Sequence, residues 1–341
     1  MSSTVFVSGA TGYIAQHLVQ QLLDKNYTVI GSVRSEAKGE NLKAHFPKNF
    51  EYVVVPDMGK EGAFDAALQK YPEISAFLHT ASPYNFSDED VENNLLKPAL
   101  EGTRNALASA KAYGKNVKRF IVTSSYAAHS WTHLVDKTIP EDIRVTEESW
   151  TEISWEQAKA NGLVAYIASK AIAEKEVWRF QKEENPSFDI AAVNPTYVFG
   201  PHLFDSEVKA PLNESTEAVN SFLKLKSEDD IFQYKGLFID VRDVATAHVV
   251  ALEKPEASNQ RIILSAGPFS QQVILNEVHE SFPELKHLPK GDPASTPKTL
   301  VRVMHGDLDD SKSREILGFE FIPFDKCIND SIAQLIRTGF P

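Results

Sequence analysis

The chain has 341 residues, 42% hydrophobic and 24% charged, enough for one large core with an appended lobe or for two modest domains. A formal net charge of −12 excludes the basic footprint that a nucleic-acid or anionic-membrane surface needs, and no apolar stretch approaches the length that crosses a bilayer. The single cysteine, Cys327, rules out an intrachain disulfide, argues against a thiolate metal site and reads as small apolar filler on a late helix.

The chain opens MSSTVFVSGATG, with no basic segment ahead of its first apolar run, which leaves no room for a secretory leader and predicts a cytosolic protein. Residues 4 to 8 form a β-branched run that stops at Gly9, and Ile14, Leu18 and Leu22 then recur at helical spacing. Further apolar runs follow at 28–33, 51–57, 74–82, 118–125 and 188–200. They are nearly continuous rather than alternating, as strands covered on both faces must be. Helical patterns at 90–113 and 164–184 lie between them, so the expected class is α/β, a doubly wound parallel sheet. Beyond about residue 201 the chain reads as loops and shorter helices, with one further strand candidate at 260–266. The expected division is a nucleotide-binding domain over 1–200, joined by about 238–266, and a smaller C-terminal substrate-binding lobe over 201–341.

Between the first strand and the first helix stands Gly9, Ala10, Thr11, Gly12, Tyr13, Ile14, Ala15, a GxxGxxG variant with alanine in the third place. Glycines there let the backbone turn tightly against a pyrophosphate, which the unpaired N–H groups at the helix start can hold. At the end of the second strand an NAD site carries a carboxylate for the ribose hydroxyls; this chain has Ser32, Val33, Arg34, Ser35 instead. Arg34 can grip a 2′-phosphate bidentately and Lys38 adds a second cation, so the pattern favours NADP(H). Asp57, closing the third strand, is a candidate partner for the adenine amino group, with Met58 packed beside it.

Tyr166 and Lys170 lie four residues apart in AYIASKAIAEKE and share one face of a helix. A neighbouring ammonium stabilises a phenolate, so Lys170 is expected to lower the pKa of Tyr166 and fit it to donate a proton. Ser124 and Ser125 end the fifth strand. Ser125 is the choice to hold a substrate oxygen, with Ser124 as its competitor. The separation of 41 residues between Ser125 and Tyr166 implies an inserted loop over 127–163.

Together, GATGYIA, LHTASP, VTSSYAA, YxxSKxxAE and NPTYVFGP resemble the extended short-chain dehydrogenases/reductases of the dihydroflavonol-reductase group. VFVSGATGYIAQHLV, VIGSVRS and the EESW stretch are similar to its branch of yeast NADPH-dependent carbonyl reductases acting on methylglyoxal and 3-methylbutanal. The resemblance spans nearly the whole chain. It implies a Rossmann domain, a Ser125, Tyr166, Lys170 triad and a 2′-phosphate held by Arg34 and Lys38. It also implies cofactor contacts at Thr80, Ala81, Ser82, Pro195, Tyr197, Val198 and Ser215.

Tyr84 and Phe86 follow the fourth strand, Tyr126 follows the serines and Tyr197 follows the sixth strand, so all are expected at one sheet edge. An aromatic pocket of that kind suits a small carbonyl compound bearing alkyl or aryl groups. No histidine spacing suggests a metal: His79 reads as packed in its strand, and His129, His133 and His202 as loop residues. The expected activity is reduction of aldehydes and ketones by NADPH, in a monomer or homodimer. The rivals are a nucleotide-sugar epimerase or dehydratase, which shares the fold and the YxxxK pair, and a non-catalytic redox sensor.

Overall fold

The structure is a computed structural model that describes residues 3–82, 90–130, 144–228, 235–294 and 307–340. Seven strands form one parallel sheet: β1 (Thr4–Ser8), β2 (Thr28–Val33), β3 (Phe50–Val54), β4 (Ile74–His79), β5 (Arg119–Thr123), β7 (Asp189–Pro195) and β10 (Gln260–Leu264). Their order is β10-β7-β5-β4-β1-β2-β3, and the direction of chain progression reverses between β1 and β4. That reversal opens a crevice at the C-terminal ends of the strands, where doubly wound sheets bind ligands.

The continuous apolar runs follow from burial of both faces. Phe6, Ile30, Phe77, Phe120 and Ile190 point to one face, where Leu68 of α3 (Asp65–Lys70), Ala106 and Leu107 of α4 (Lys97–Tyr113) and Val177 of α6 (Gly162–Glu184) cover them. Val5, Val7, Val29, Leu78, Ile121 and Val193 point to the other, under α1 (Tyr13–Asp24), Leu42 of α2 (Glu36–His45) and α8 (Val241–Glu253). The π-helical turn Glu92–Leu96 leads into α4, and between β5 and α6 the short β6 (Arg144–Val145) and α5 (Trp155–Ala158) lie in the expected insertion. Asn161 starts α6 by accepting from the Val164 N–H at 3.0 Å, and Asn185 ends it in the left-handed region with φ 40°.

Several runs end earlier than the sequence suggests. The third strand stops at Val54, three residues short of Asp57, and the fourth at His79. The run 188–200 is two strands. Pro195 lacks the N–H that would continue the ladder, Thr196 makes a last bond to the Leu264 carbonyl at 3.0 Å, and β8 (Tyr197–Phe199) turns off into another sheet.

That second sheet, β11-β9-β8, comprises β8, β9 (Lys235–Asp240) and β11 (Gly267–Ser270). It packs with α7 (Glu214–Phe222), α9 (Gln271–Ser281) and α11 (Phe324–Thr338) around Phe199, Phe222, Phe238, Phe269 and Ile328. Cys327 is buried in this core. The chain thus leaves the large sheet at Tyr197, returns with α8 and β10, and leaves again at Gly267. It returns once more as β12 (Asp307–Leu308), which pairs with β6, and as α10 (Ser311–Leu317), which packs on β10. No helix among the described residues is long and apolar enough to cross a membrane.

Candidate active site

One cleft of about 1190 Å³ runs along the C-terminal edge of the large sheet, between it and the lobe. At the β1–α1 turn, Gly9 sits at φ +66°, and a Cβ there would lie 3.0 Å from the Ala81 backbone, so the position needs glycine twice over. The Gly9 N–H donates to Ser32 Oγ at 2.9 Å, and the Gly12 N–H to the Gly9 carbonyl at 2.9 Å. No side chain caps α1, so its first-turn N–H groups face the cleft as an anion site. Thr11, Gly12, Tyr13 and Ile14 line the cleft. Ala10 does not: it is buried beneath the turn, against Gly31. The Tyr13 hydroxyl donates to the Gly200 carbonyl, fixing the start of the lobe to the glycine turn.

Arg34 and Lys38 are exposed on the cleft wall, and neither makes a hydrogen bond or ion pair with another described residue. Two unneutralised cations beyond β2, with no carboxylate at that register, fit a 2′-phosphate. Asp57 and Met58 line the same end, the Asp57 carboxylate accepting from the Gly59 N–H at 2.9 Å and the Met58 carbonyl from Asn105 at 3.0 Å.

Beyond β4, Thr80, Ala81 and Ser82 line the cleft. Buried Ser8 anchors them, its Oγ accepting from the Ala81 N–H at 3.1 Å and lying 2.9 Å from His79 Nδ1. Burial, with Lys170 nearby, pushes His79 down to about 3, so it is a neutral packed group. Tyr84 and Phe86 lie outside the described residues, as does His133.

Tyr166 and Lys170 project from α6 into the middle of the cleft. Lys170 Nζ donates to Ser82 Oγ at 2.7 Å and stands 5.5 Å from the centre of the Tyr166 ring. Ser125 lines the same part of the cleft, close enough to act on the Tyr166 hydroxyl. Both side chains keep part of their surface open to the cleft yet are recessed enough that burial governs their titration. It pulls Lys170 down to about 8 and pushes Tyr166 up, against the opposing effect of nearby Ser125. The expected lowering of Tyr166 by Lys170 is therefore not found in the protein alone: desolvation of the phenolate outweighs any effect of an ammonium turned toward Ser82.

Strand alternation separates the serines. Thr123 points to one face, its hydroxyl 2.7 Å from His248 Nε2 on α8, and Ser124 to the other, its hydroxyl donating to buried Glu174 on α6. Ser125, past the strand end, faces the cleft while its Oγ accepts from the Ala127 N–H at 3.1 Å. Tyr126 touches the cleft, but its ring is buried with Val145, Leu237 and Ile263.

Pro195, Tyr197 and Val198 form the floor, and Ser215 on α7 the lobe wall. The Tyr197 ring lies over Gly236, where a Cβ would come within 2.9 Å of it, and packs edge-on against Phe269. Lys209, Leu212, Ala218 and Phe222 complete the lobe side and Leu163 lines the cleft from α6; no motif in the sequence marks them. Among the described residues no three His, Cys, Asp or Glu side chains gather to hold a metal ion.

A Rossmann sheet with a glycine turn at its switch point and a tyrosine and lysine one helical turn apart in the same cleft defines a dinucleotide-dependent site of the short-chain dehydrogenase/reductase type. The chain belongs to the NAD dependent epimerase/dehydratase family, whose model matches residues 5–267. It is 44% identical to the NADPH-dependent methylglyoxal reductase of Saccharomyces cerevisiae, over 98% of each chain. It is 38% identical to a ketoreductase of Aspergillus niger, over 99% of each. Gre2 of Candida albicans in complex with NADPH superposes with a TM-score of 0.93 at 46% identity, covering 98% of this chain and 99% of that one. The resemblance read from the motifs thus extends over the whole chain.

Proposed function

We propose that this protein is an NADPH-dependent carbonyl reductase that converts small aldehydes and ketones, of the methylglyoxal, 3-methylbutanal, diketone or aryl ketone type, to alcohols. NADPH, when bound, supplies a hydride to the carbonyl carbon. The first turn of α1, with Gly9, Thr11, Gly12, Tyr13 and Ile14, holds the pyrophosphate, Arg34 and Lys38 the 2′-phosphate, and Asp57 with Met58 the adenine. Ala10 serves from beneath, by packing. Thr80, Ala81, Ser82, Pro195, Tyr197, Val198 and Ser215 flank the ribose and nicotinamide.

Ser125 donates to the substrate oxygen and aims it at Tyr166, whose hydroxyl hands over the proton as negative charge develops there. Lys170 orients the cofactor ribose and replaces the lost positive potential near the phenol. One observation carries this reading: the Tyr166 side chain shares one cleft with Ser125, Lys170, Arg34 and Lys38, with Lys170 Nζ 5.5 Å from the centre of its ring. A phenol pushed up by burial is fully protonated at neutral pH, the form a reduction consumes.

The test is a spectrophotometric screen of NADPH oxidation over small aldehydes, diketones and aryl ketones, repeated with NADH. Turnover with several of these and a clear preference for NADPH is expected. Protein that binds NADPH yet consumes none across the panel would instead be a redox sensor, and tightly co-purifying NAD would revive the epimerase or dehydratase reading.

A further inference from the structure

Glu174 lies four residues beyond Lys170 and eight beyond Tyr166, on the same side of α6, but it points behind the active site rather than into it. It is 1% exposed. Its Oε2 accepts from the Ser124 hydroxyl and from Asn194 Nδ2 at 2.6 Å. Its Oε1 accepts from Arg261 Nε, and from Trp178 Nε1 at 3.2 Å. Asn194 Nδ2 also reaches the Ser125 carbonyl at 3.2 Å. Arg261 in turn donates to the carbonyls of Glu147 and Ser149 at 2.7 and 2.6 Å and stacks 3.6 Å above the Trp150 ring.

A single carboxylate thus receives donors from the end of β5, the end of β7 and from β10. Those ends continue directly into the cleft, β5 into Ser125 and β7 into Pro195 and Tyr197. Burial opposes the charge on Glu174, but Arg261 and the surrounding donors hold its carboxyl below the usual range, so it stays ionised. Charge-assisted bonds to a buried carboxylate are stiff, and a side chain with four donors has one rotamer that satisfies them all. Cleft groups that must meet within a few tenths of an ångström, Ser125 and Tyr166, stand on opposite sides of this knot.

We propose that Glu174 is a positioning residue for the reduction. It locks α6, which carries Tyr166 and Lys170, to the strand ends that carry Ser125 and the nicotinamide floor, and so sets the Ser125–Tyr166 spacing without touching substrate or cofactor. The proposal rests on the reductase reading above.

The test compares wild type, Glu174→Gln and Ser124→Ala in single-turnover NADPH oxidation with one good aldehyde, normalised to NADPH-binding sites counted by fluorescence titration. Glu174→Gln keeps the shape but sets an amide N–H against Asn194 or Arg261. Its hydride-transfer rate per binding site should fall about tenfold or more, the scale of a small misplacement of reacting groups. NADPH affinity should stay within about twofold, because the phosphate and ribose contacts are untouched. Ser124→Ala removes only the β5 arm and should fold normally, with a loss of roughly threefold in the same rate.

A purely structural role would lower the melting temperature and the number of binding sites while leaving the rate per site unchanged, and that result in both variants overturns the proposal. If Glu174→Gln does not fold, Ser124→Ala decides alone: an unchanged rate per site overturns it, a reduced one supports it. A wild type that consumes no NADPH across the carbonyl panel overturns the reductase reading and this role with it. An active wild type matched by its variants overturns the positioning role alone.

Discussion

The two walls of the cleft are made differently. The cofactor wall is backbone and short side chains at the ends of adjacent parallel strands, held by local bonds such as Gly9 to Ser32 and Ala81 to Ser8. The lobe wall is assembled from α7 and the segment around Lys209 and Leu212, polar and apolar side chains standing on a helix and loops beside the lobe's own core. On the first wall the geometry is set by the fold and admits few substitutions. On the second, side chains can be exchanged without disturbing a hydrogen-bonded frame, so it is where relatives of one architecture can differ in the carbonyl compound they accept.

Changes on the sheet side should therefore act on chemistry or cofactor whatever the substrate. The largest effect expected is for Tyr166→Phe: kcat should fall roughly 10²-fold or more for every carbonyl compound, the size of losing a general acid, with NADPH affinity little changed. Near-normal turnover would remove Tyr166 from the mechanism. Next, Arg34→Ala deletes a charge-assisted contact worth about 1.5–3 kcal/mol. The NADPH over NADH preference in kcat/KM should therefore narrow by about tenfold to a hundredfold, for all substrates alike. Equal use of both cofactors by the wild type would show the Arg34 argument to be mistaken.

A smaller effect belongs to pH. Lys170 is held near 8, so its ammonium is present below that value and lost above it, while the Tyr166 phenol stays protonated. The profile of kcat/KM for reduction, which reports the free enzyme, should be level up to about pH 8 and then fall about tenfold per pH unit. The limb should be absent in Lys170→Met; a limb that survives there belongs to another group.

The same contrast governs what could be read from the chain. The fold class, the glycine turn and the shared face of Tyr166 and Lys170 are legible because their physics is local: Gly9 needs a positive φ, buried parallel strands need unbroken apolar runs, and Tyr166 and Lys170 need only helical spacing. Three features escaped. The split at Thr196 depends on Pro195 meeting Leu264, 69 residues further along the chain. Ser124 and Ser125 are chemically equal until strand parity turns one toward Glu174 and the other into the cleft. Tyr166 titrates higher than its spacing from Lys170 suggests, because charge proximity is visible in spacing and burial is not. Glu174 closes the YxxSKxxAE motif as the next member of the Tyr166, Lys170 series, but only its partner Arg261, from a distant strand, gives a carboxylate there a reason to be buried.

The smallest and most selective effect should come from the lobe wall, at Ala218 on α7. Its side chain lines the cleft, half-buried, and its helix is anchored by Val219 and Phe222, which are buried in the lobe core, and by Asn213, which accepts from the Thr216 N–H at 2.7 Å. Leucine is nearly as good a helix former as alanine, so Ala218→Leu leaves α7 in place and spends its added volume in the cleft. Groups that compete for space in an apolar pocket discriminate by about 1–3 kcal/mol per methylene at most, less when a wall can give. The variant should thus lower kcat/KM for aryl ketones roughly threefold to tenfold against a small aldehyde. NADPH affinity and the pH profile should be unchanged. A uniform loss across substrates, or a loss of NADPH affinity, would mean that α7 acts through the cofactor wall and that the two walls are not separable.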